Sequence, residues 1–416
     1  MFRIWIYLNI RYFFKALFSS GSLNNRKKFI NKYISKQSKK KYSALFSQCR
    51  VAFYFILKFL MTKSNRNEIL FCAYNLPEMV NIAENLKLKV KFYDLSKETG
   101  SLNTNQIKKK ISKKTLAVVL TNMFNNYKDA KKIKTITAKY KAHLIEDNAI
   151  YFDNFSKIKK NFFYSGSFGD FSIYSFNIMK NISSFYGGAA TTNDQNFLKF
   201  YNQEEKKLKN FFTIPLIKQT FIYFVLKIMS VDFLYKNFFI YLIKFAHKYQ
   251  FNIFLKLFYP SLKSIKKRFP RYYYSKISNV AINATYFQLK DNSQRKKLFN
   301  ARKEKHLYFL KRFQKIKTKK ISLINIQNIN YQNFLDFPVL VKEKDKFNQF
   351  LLGKGIEVRL KHYYNCEKMM YYKQSCGIAE RYEKELICFP IHKKIKYSYI
   401  DYIAKNTEEF FAKYAD

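Results

Sequence analysis

Glycine is scarce in this chain: nine residues of 416, alongside six prolines and a single tryptophan. A composition so poor in turn formers excludes collagen-like and glycine-rich linker sequences, and no internal repeat or low-complexity segment is present. Acidic residues are few as well. Asp and Glu total 28 against 78 Lys and Arg, a formal charge of +50 at pH 7. That excess would draw nucleic acid, an anionic membrane face or phosphorylated compounds. It accompanies abundant Phe, Tyr, Ile and Asn, as a genome-wide compositional bias would produce, so it selects no partner by itself. A nucleic-acid reader needs aromatic stacking positions on a sheet or a recognition helix; neither is evident, and no nucleic acid is expected.

The five cysteines (Cys49, Cys72, Cys366, Cys376 and Cys388) are odd in number and form no CxxC pair. This excludes a zinc ribbon and a disulfide scaffold and makes a reducing cytoplasm the expected location. His143, His247, His306, His362 and His392 are dispersed, none at metal spacing, so no metal is expected. No run reaches the roughly 18 uninterrupted apolar residues of a membrane-spanning helix. The stretch from Met1 to Phe18 is interrupted by Arg3, Arg11 and Lys15 and lacks a small-residue cleavage site, which argues against export.

What the chain does have is apolar and aromatic surface, 48% and 19% of its residues, enough to bury a sizeable core. Four regions separate by composition. Residues 1–42 form a basic, aromatic leader, read as helical and peripheral to the fold. Residues 43–200 alternate strand-like runs, such as Glu68–Cys72, Val90–Asp94, Leu116–Leu120 and His143–Asp147, with amphipathic stretches. Such alternation predicts a doubly wound α/β sheet. Residues 201–271 shift to long Phe, Ile, Leu and Tyr runs broken by single lysines, a hydrophobic helical insert. Residues 272–416 begin with one long helical pattern to about Arg312, then short strands and a final helix near 398–414, a smaller α+β domain.

Four of the nine glycines, Gly166, Gly169, Gly187 and Gly188, fall around one segment that also holds Ser175 and Lys180. In a chain this poor in glycine, such clustering marks backbone that needs positive φ or close approach. Any lysine taken at random here is most simply a solvated one. Lys180 departs from that expectation by lying between a Phe-rich strand and the Gly-Gly pair. Glu146 and Asp147 end an apolar strand, where open α/β sheets collect ligands; Asp147 is the better candidate for chemistry and Glu146 for a structural or solvated role.

These residues resemble a family. The pattern Ile145-Glu-Asp-Asn-Ala149, Gly166-Ser-Phe-Gly-Asp170, Ser175-Phe-Asn-Ile-Met-Lys180 and Gly187-Gly-Ala-Ala-Thr-Thr-Asn-Asp194 is similar in order and spacing to the DegT/DnrJ-type sugar aminotransferases. Weaker similarity extends over about residues 43–416. It includes Gln48-Cys-Arg-Val-Ala52 at the family's phosphate loop, Ala73–Pro77, Tyr93–Leu102, Ser278–Leu289, Gly355–Val358 and Cys388–His392.

The resemblance implies a fold-type I architecture, with a large mixed-sheet domain and a smaller C-terminal domain, using pyridoxal 5′-phosphate (PLP). It implies that Lys180 forms the Schiff base and shuttles the proton. By the same resemblance Asp147 holds the pyridine nitrogen protonated, while Ser175, Cys49 and Arg50 face the phosphate. The expected activity is amino transfer to a nucleotide-linked keto-sugar for cell-surface polysaccharide, with glutamate as donor, in a homodimer. A related sugar dehydratase replaces the lysine with histidine, which Lys180 argues against. A rival of another class is a catalytically impaired, membrane-bound or regulatory relative, suggested by Leu76, Ile150, Cys49 and Tyr274 at positions where relatives carry cofactor contacts.

The insert raises a separate question. Along Phe233–Lys248 the polar residues Lys236, Asn237, Tyr241, Lys244 and Lys248 share a narrow stripe, leaving Leu234, Phe238, Phe239, Leu242, Ile243 and Phe245 on a wide face. Two readings stand: a core or dimer interface, and a monotopic patch on an anionic membrane.

Overall fold

The computed structural model describes residues 2–97, 100, 102–123, 127–152, 165–251, 255, 266–324 and 333–413. Seven strands form the large sheet: β1 (Tyr42–Phe46), β2 (Glu68–Cys72), β3 (Lys89–Tyr93), β4 (Thr115–Thr121), β5 (His143–Asp147), β6 (Phe171–Ser175) and β7 (Gly188–Thr192). Their spatial order is β1-β7-β6-β5-β4-β2-β3. β7 runs antiparallel to both its neighbours, and the pairings from β6 through to β3 are parallel. Strands β2, β4 and β7 are buried along their whole length, as continuous apolar runs covered by helices on both faces should be. The doubly wound α/β expectation holds, with one strand reversed.

The smaller domain is built on an antiparallel sheet of β8 (Ile321–Leu323), β9 (Asp336–Val341) and β10 (Leu386–Pro390), with β9 in the centre. Its core joins Phe309 and Phe313 of one helix to Phe337 and Phe389 of the sheet and Phe410 of the last helix, Tyr397–Lys413. Gly355–Val358 is not a strand; only Arg359 bridges to Cys388.

Two sequence expectations change. The single long helix is two, Asn279–Lys290 and Asn292–Phe313, because Asp291 leaves the helical conformation and its side chain accepts from the Gln294 N–H at 3.0 Å. A residue that caps a second helix ends the first. The leader is helical over Ile10–Phe18 and Leu23–Ser38, but it is not peripheral. Phe2, Ile4, Ile6, Leu8 and Phe13 are buried against Ile222, Tyr223, Leu226 and Ile243 of the insert. The leader is fixed at its start by Arg3, whose backbone N–H and guanidinium bond Glu357 at 3.3 and 3.4 Å.

The insert comprises helix Thr213–Met229 and the helical stretch Asp232–Lys248, which meet at 79°. No single helix among the described residues is long and apolar enough to cross a membrane, although this bent pair passes by length and composition. The wide apolar face expected on 233–248 divides: Ile243 is core, whereas Phe238 and Phe245 are exposed.

Candidate active site

Parallel strands deliver their carboxyl ends to one edge of a sheet, and the reversed β7 brings its amino end to the same edge. Asp147 ends β5 and Ser175 ends β6, directly opposite Gly188 at the start of β7. β1 also finishes there, Phe46 facing Gly188, and leads into the helix Cys49–Lys63. Gly188 is required by this convergence. A Cβ on it would lie 2.3 Å from the Cys49 nitrogen and 2.5 Å from the Gln48 carbonyl carbon, closer than atoms can stand. The preceding Gly187 has φ +144° and bridges Gln48, so the clustered glycines serve both purposes expected of them.

The helix Cys49–Lys63 starts without a side-chain cap; Gln48 is extended, and its carbonyl accepts from Val51 and Ala52, both at 3.1 Å. An uncapped first turn of a fifteen-residue helix is a place for an anion. Arg50 lies beside it and bonds Glu78 at 3.3 Å. Cys49 is buried, and burial together with the Asp147 carboxylate holds its thiol well above its usual range, so it stays protonated.

Lys180 follows β6 in a turn, its N–H bonding the Asn177 carbonyl at 2.9 Å. It lines a cavity of about 450 Å³ with Arg50, Leu76, Ile150, Tyr151 and Arg359. Burial, then the Arg359 charge, lowers its ammonium to about 8, against the opposing pull of Asp147. Asp147 is buried, and desolvation raises its carboxyl to about 6, moderated by the Ala149 N–H at 3.0 Å and by Lys180. The two groups thus lie within electrostatic reach of one another. Of the five residues singled out in the sequence, Lys180 and Arg50 line the cavity, and Asp147, Cys49 and Ser175 stand at the strand edge beside it.

Glu146 has the structural role expected of it. Its carboxylate accepts from the backbone N–H groups of Gly166 at 3.1 Å, Phe168 at 2.8 Å and Gly169, fixing the turn before β6. Asp170 is likewise structural, accepting from the Leu144 N–H at 2.8 Å and pairing with Lys134.

Several lining residues were not legible in the sequence. Arg3, Trp5 and Tyr7 of the leader and Gln219, Ile222 and Lys266 of the insert all reach the cavity. Nothing local marks them, because they reach it by packing across the whole chain. Tyr186 also lines it, held at φ +144° and accepting from Gln219 at 3.2 Å. Arg359 pairs with Asp336 at 2.9 Å and contacts the His362 ring at 3.1 Å. Asp336, His362 and Cys388 place possible metal-ligand atoms within 4.8 Å of one another. The guanidinium already engages two of the three, so its charge stands where a metal ion's would.

Residues 17–207 match the model of the DegT/DnrJ/EryC1/StrS aminotransferase family. An uncharacterized protein of Methanocaldococcus jannaschii is 26% identical over 37% of this chain and 39% of its own length. The GDP-perosamine synthase of Escherichia coli O157:H7 is 29% identical over 42% of this chain and 47% of its own. The chain therefore spans less than half the length of these curated relatives. Among solved structures, Helicobacter pylori PseC, an aminotransferase of pseudoaminic acid biosynthesis, superposes with a TM-score of 0.68 at 16% identity, covering 97% of this chain and 96% of that one. GDP-4-keto-6-deoxymannose-3-dehydratase with a trapped PLP-glutamate geminal diamine gives 0.69 at 17% identity, covering 97% of each chain. At these identities the structures establish a shared fold.

Proposed function

We propose that this chain, whose residues 17–207 match the model of the DegT/DnrJ/EryC1/StrS aminotransferase family, is a PLP-dependent aminotransferase acting on a nucleotide-linked keto-sugar. Glutamate is the proposed donor, a cell-surface polysaccharide the destination, a homodimer the working unit and the cytoplasmic side the location. One observation carries the reading: Lys180, in the turn after β6, lies within electrostatic reach of Asp147 at the strand edge where a helix begins uncapped.

The residues fit PLP. A cavity-lining amine, a buried carboxylate and an uncapped helix start, held close by the side-chain-free Gly188, are the donor set that an aldehyde, a pyridine nitrogen and a phosphate require. When bound, the cofactor would supply an electron sink for the C–H bond that breaks. Lys180, with its ammonium lowered to about 8, has a neutral fraction near neutral pH that can attach the aldehyde and afterwards carry the proton at Nζ. Asp147, ionised above about pH 6, would hold the proton on the pyridine nitrogen. Ser175 and Arg50 would bind the phosphate from the end of β6 and the helix start. Cys49, whose thiol burial keeps protonated, would face the phosphate with them from the first position of the helix. Leu76 and Ile150 would bound the ring with apolar surface.

The donor half-reaction tests this without knowledge of the sugar. PLP-loaded protein mixed with glutamate should release 2-oxoglutarate in proportion to enzyme, and Asp147→Asn should slow that release about a hundredfold or more while still binding PLP. Loaded protein that releases no 2-oxoglutarate but does release a keto acid from another amino acid would overturn the donor, and release from none would make the chain a non-catalytic relative.

A further inference from the structure

We infer that the leader helix and the inserted helices form a single surface that docks on a bilayer containing anionic phospholipid. The inference goes beyond the aminotransferase reading and does not depend on it.

Helix Thr213–Met229 buries Ile222, Tyr223, Leu226 and Met229 on one side and exposes Ile214, Ile217, Phe221, Phe224 and Ile228 on the other, each set at helical spacing. The leader helix does the same, exposing Ile10, Phe14 and Phe18 while burying Phe13. The two stripes are joined through Phe13, whose ring lies 5.3 Å from that of Phe14 and 4.9 Å from that of Phe224. The helical stretch beyond the 79° bend exposes a third stripe of its own, Phe238, Tyr241 and Phe245. Exposures of 80% for Ile214, 78% for Phe18 and 72% for Phe233 leave whole side chains in water. A patch of this extent marks an interaction surface.

Charge identifies the occupant. Between Thr213 and Phe251 the cations Lys218, Lys227, Lys236, Lys244 and Lys248 face one acid, Asp232, and the leader helix adds Arg11 and Lys15 with no acid. At the end of the first stripe, Lys227, Lys393 and Lys394 place their ammonium groups 5.3, 5.5 and 5.4 Å from the ring centre of Trp5. The Lys394 amine also donates to the Ser230 carbonyl at 3.0 Å, which ties this cluster to the helix. The Lys227 amine turns inward to donate to the Ile6 carbonyl at 3.1 Å, and burial, then Lys393 and Lys394, lowers its ammonium to about 8.

A two-fold interface with a second copy would set this rim of lysines against its own image, which like-charge repulsion opposes. Phosphate headgroups complement it. Apolar stripes rimmed by lysines are what the boundary between acyl chains and headgroups accommodates. The bend and the interspersed lysines favour lying on the bilayer over crossing it. Gln219 and Ile222, on the inward side of the same helix, line the cavity, so docking sets the cavity about one helix diameter, ~10 Å, below the surface.

Flotation of the full-length protein with vesicles of phosphatidylcholine, alone or mixed with phosphatidylglycerol, tests this. The protein should float with the mixed vesicles, and high salt should release it only in part. Phe221→Ser with Phe224→Ser should cut the bound fraction about tenfold. Lys393→Glu with Lys394→Glu should remove the preference for phosphatidylglycerol, a loss of about fivefold for each lysine. Neither pair should alter the oligomeric state in light scattering or the absorbance of added PLP. The inference falls if the wild-type protein stays with the soluble fraction in both mixtures, or if both variants float as it does. It also falls if the phenylalanine pair converts a dimer to monomers while flotation is unchanged, which would assign the surface to a second copy.

Discussion

At the scale of single residues, the site is governed by burial opposed by charge. Lys180 is lowered to about 8 by desolvation and by Arg359, while Asp147 resists both. A lysine with its pKa lowered gains its neutral form as pH rises through that value. Capture of added PLP by the apo-protein should therefore speed up through about pH 8. Arg359→Met removes one cause of the lowering and leaves Asp336 without its 2.9 Å partner, another carboxylate acting on Lys180. Its midpoint should move to higher pH in stopped-flow absorbance. An unshifted midpoint would remove Arg359 from the electrostatics of the site. Lys180 and Asp147 stood out in the sequence because they fall in a local pattern of glycines, hydroxyls and strand ends. Arg359 was not legible there, because its partner Asp336 lies on β9, more than twenty positions away, which no local pattern reveals.

At the scale of elements, several strands were legible as apolar runs: 68–72 and 143–147 are found as read and 90–94 and 116–120 shift by about a residue, whereas 355–358 is not a strand. The break at Asp291 was not, because apolar periodicity continues through a residue whose capping contact is visible only once the helix turns there. The turn before β6 depends on one buried side chain. Glu146→Ala would leave the N–H groups of Gly166, Phe168 and Gly169 without their acceptor. Equilibrium denaturation should show a loss of about 2–4 kcal/mol. A loss within about 0.5 kcal/mol, the range of ordinary surface changes, would mean the turn holds without it.

At the scale of the whole molecule, leader and insert, which the sequence sets apart from the two domains, share a core and supply part of the cavity wall. Their burial was illegible because its partners are hundreds of positions away: Arg3 meets Glu357, and Tyr235 donates to the same carboxylate at 3.2 Å. Glu357→Ala would remove the buried carboxylate that Arg3 and Tyr235 share, at a cost of about 3–5 kcal/mol. Limited proteolysis should then cut within the first ten residues faster than in the wild type. An unchanged cleavage rate would show that packing alone holds the leader.

The reaction as a whole rests on Lys180 being the residue that joins PLP. Borohydride reduction of the PLP-loaded protein, followed by peptide mapping, reads this directly. The predicted result is a pyridoxyl mass on the peptide containing Lys180, absent from Lys180→Ala; a label on another lysine, or an equal yield of label in Lys180→Ala, would contradict it.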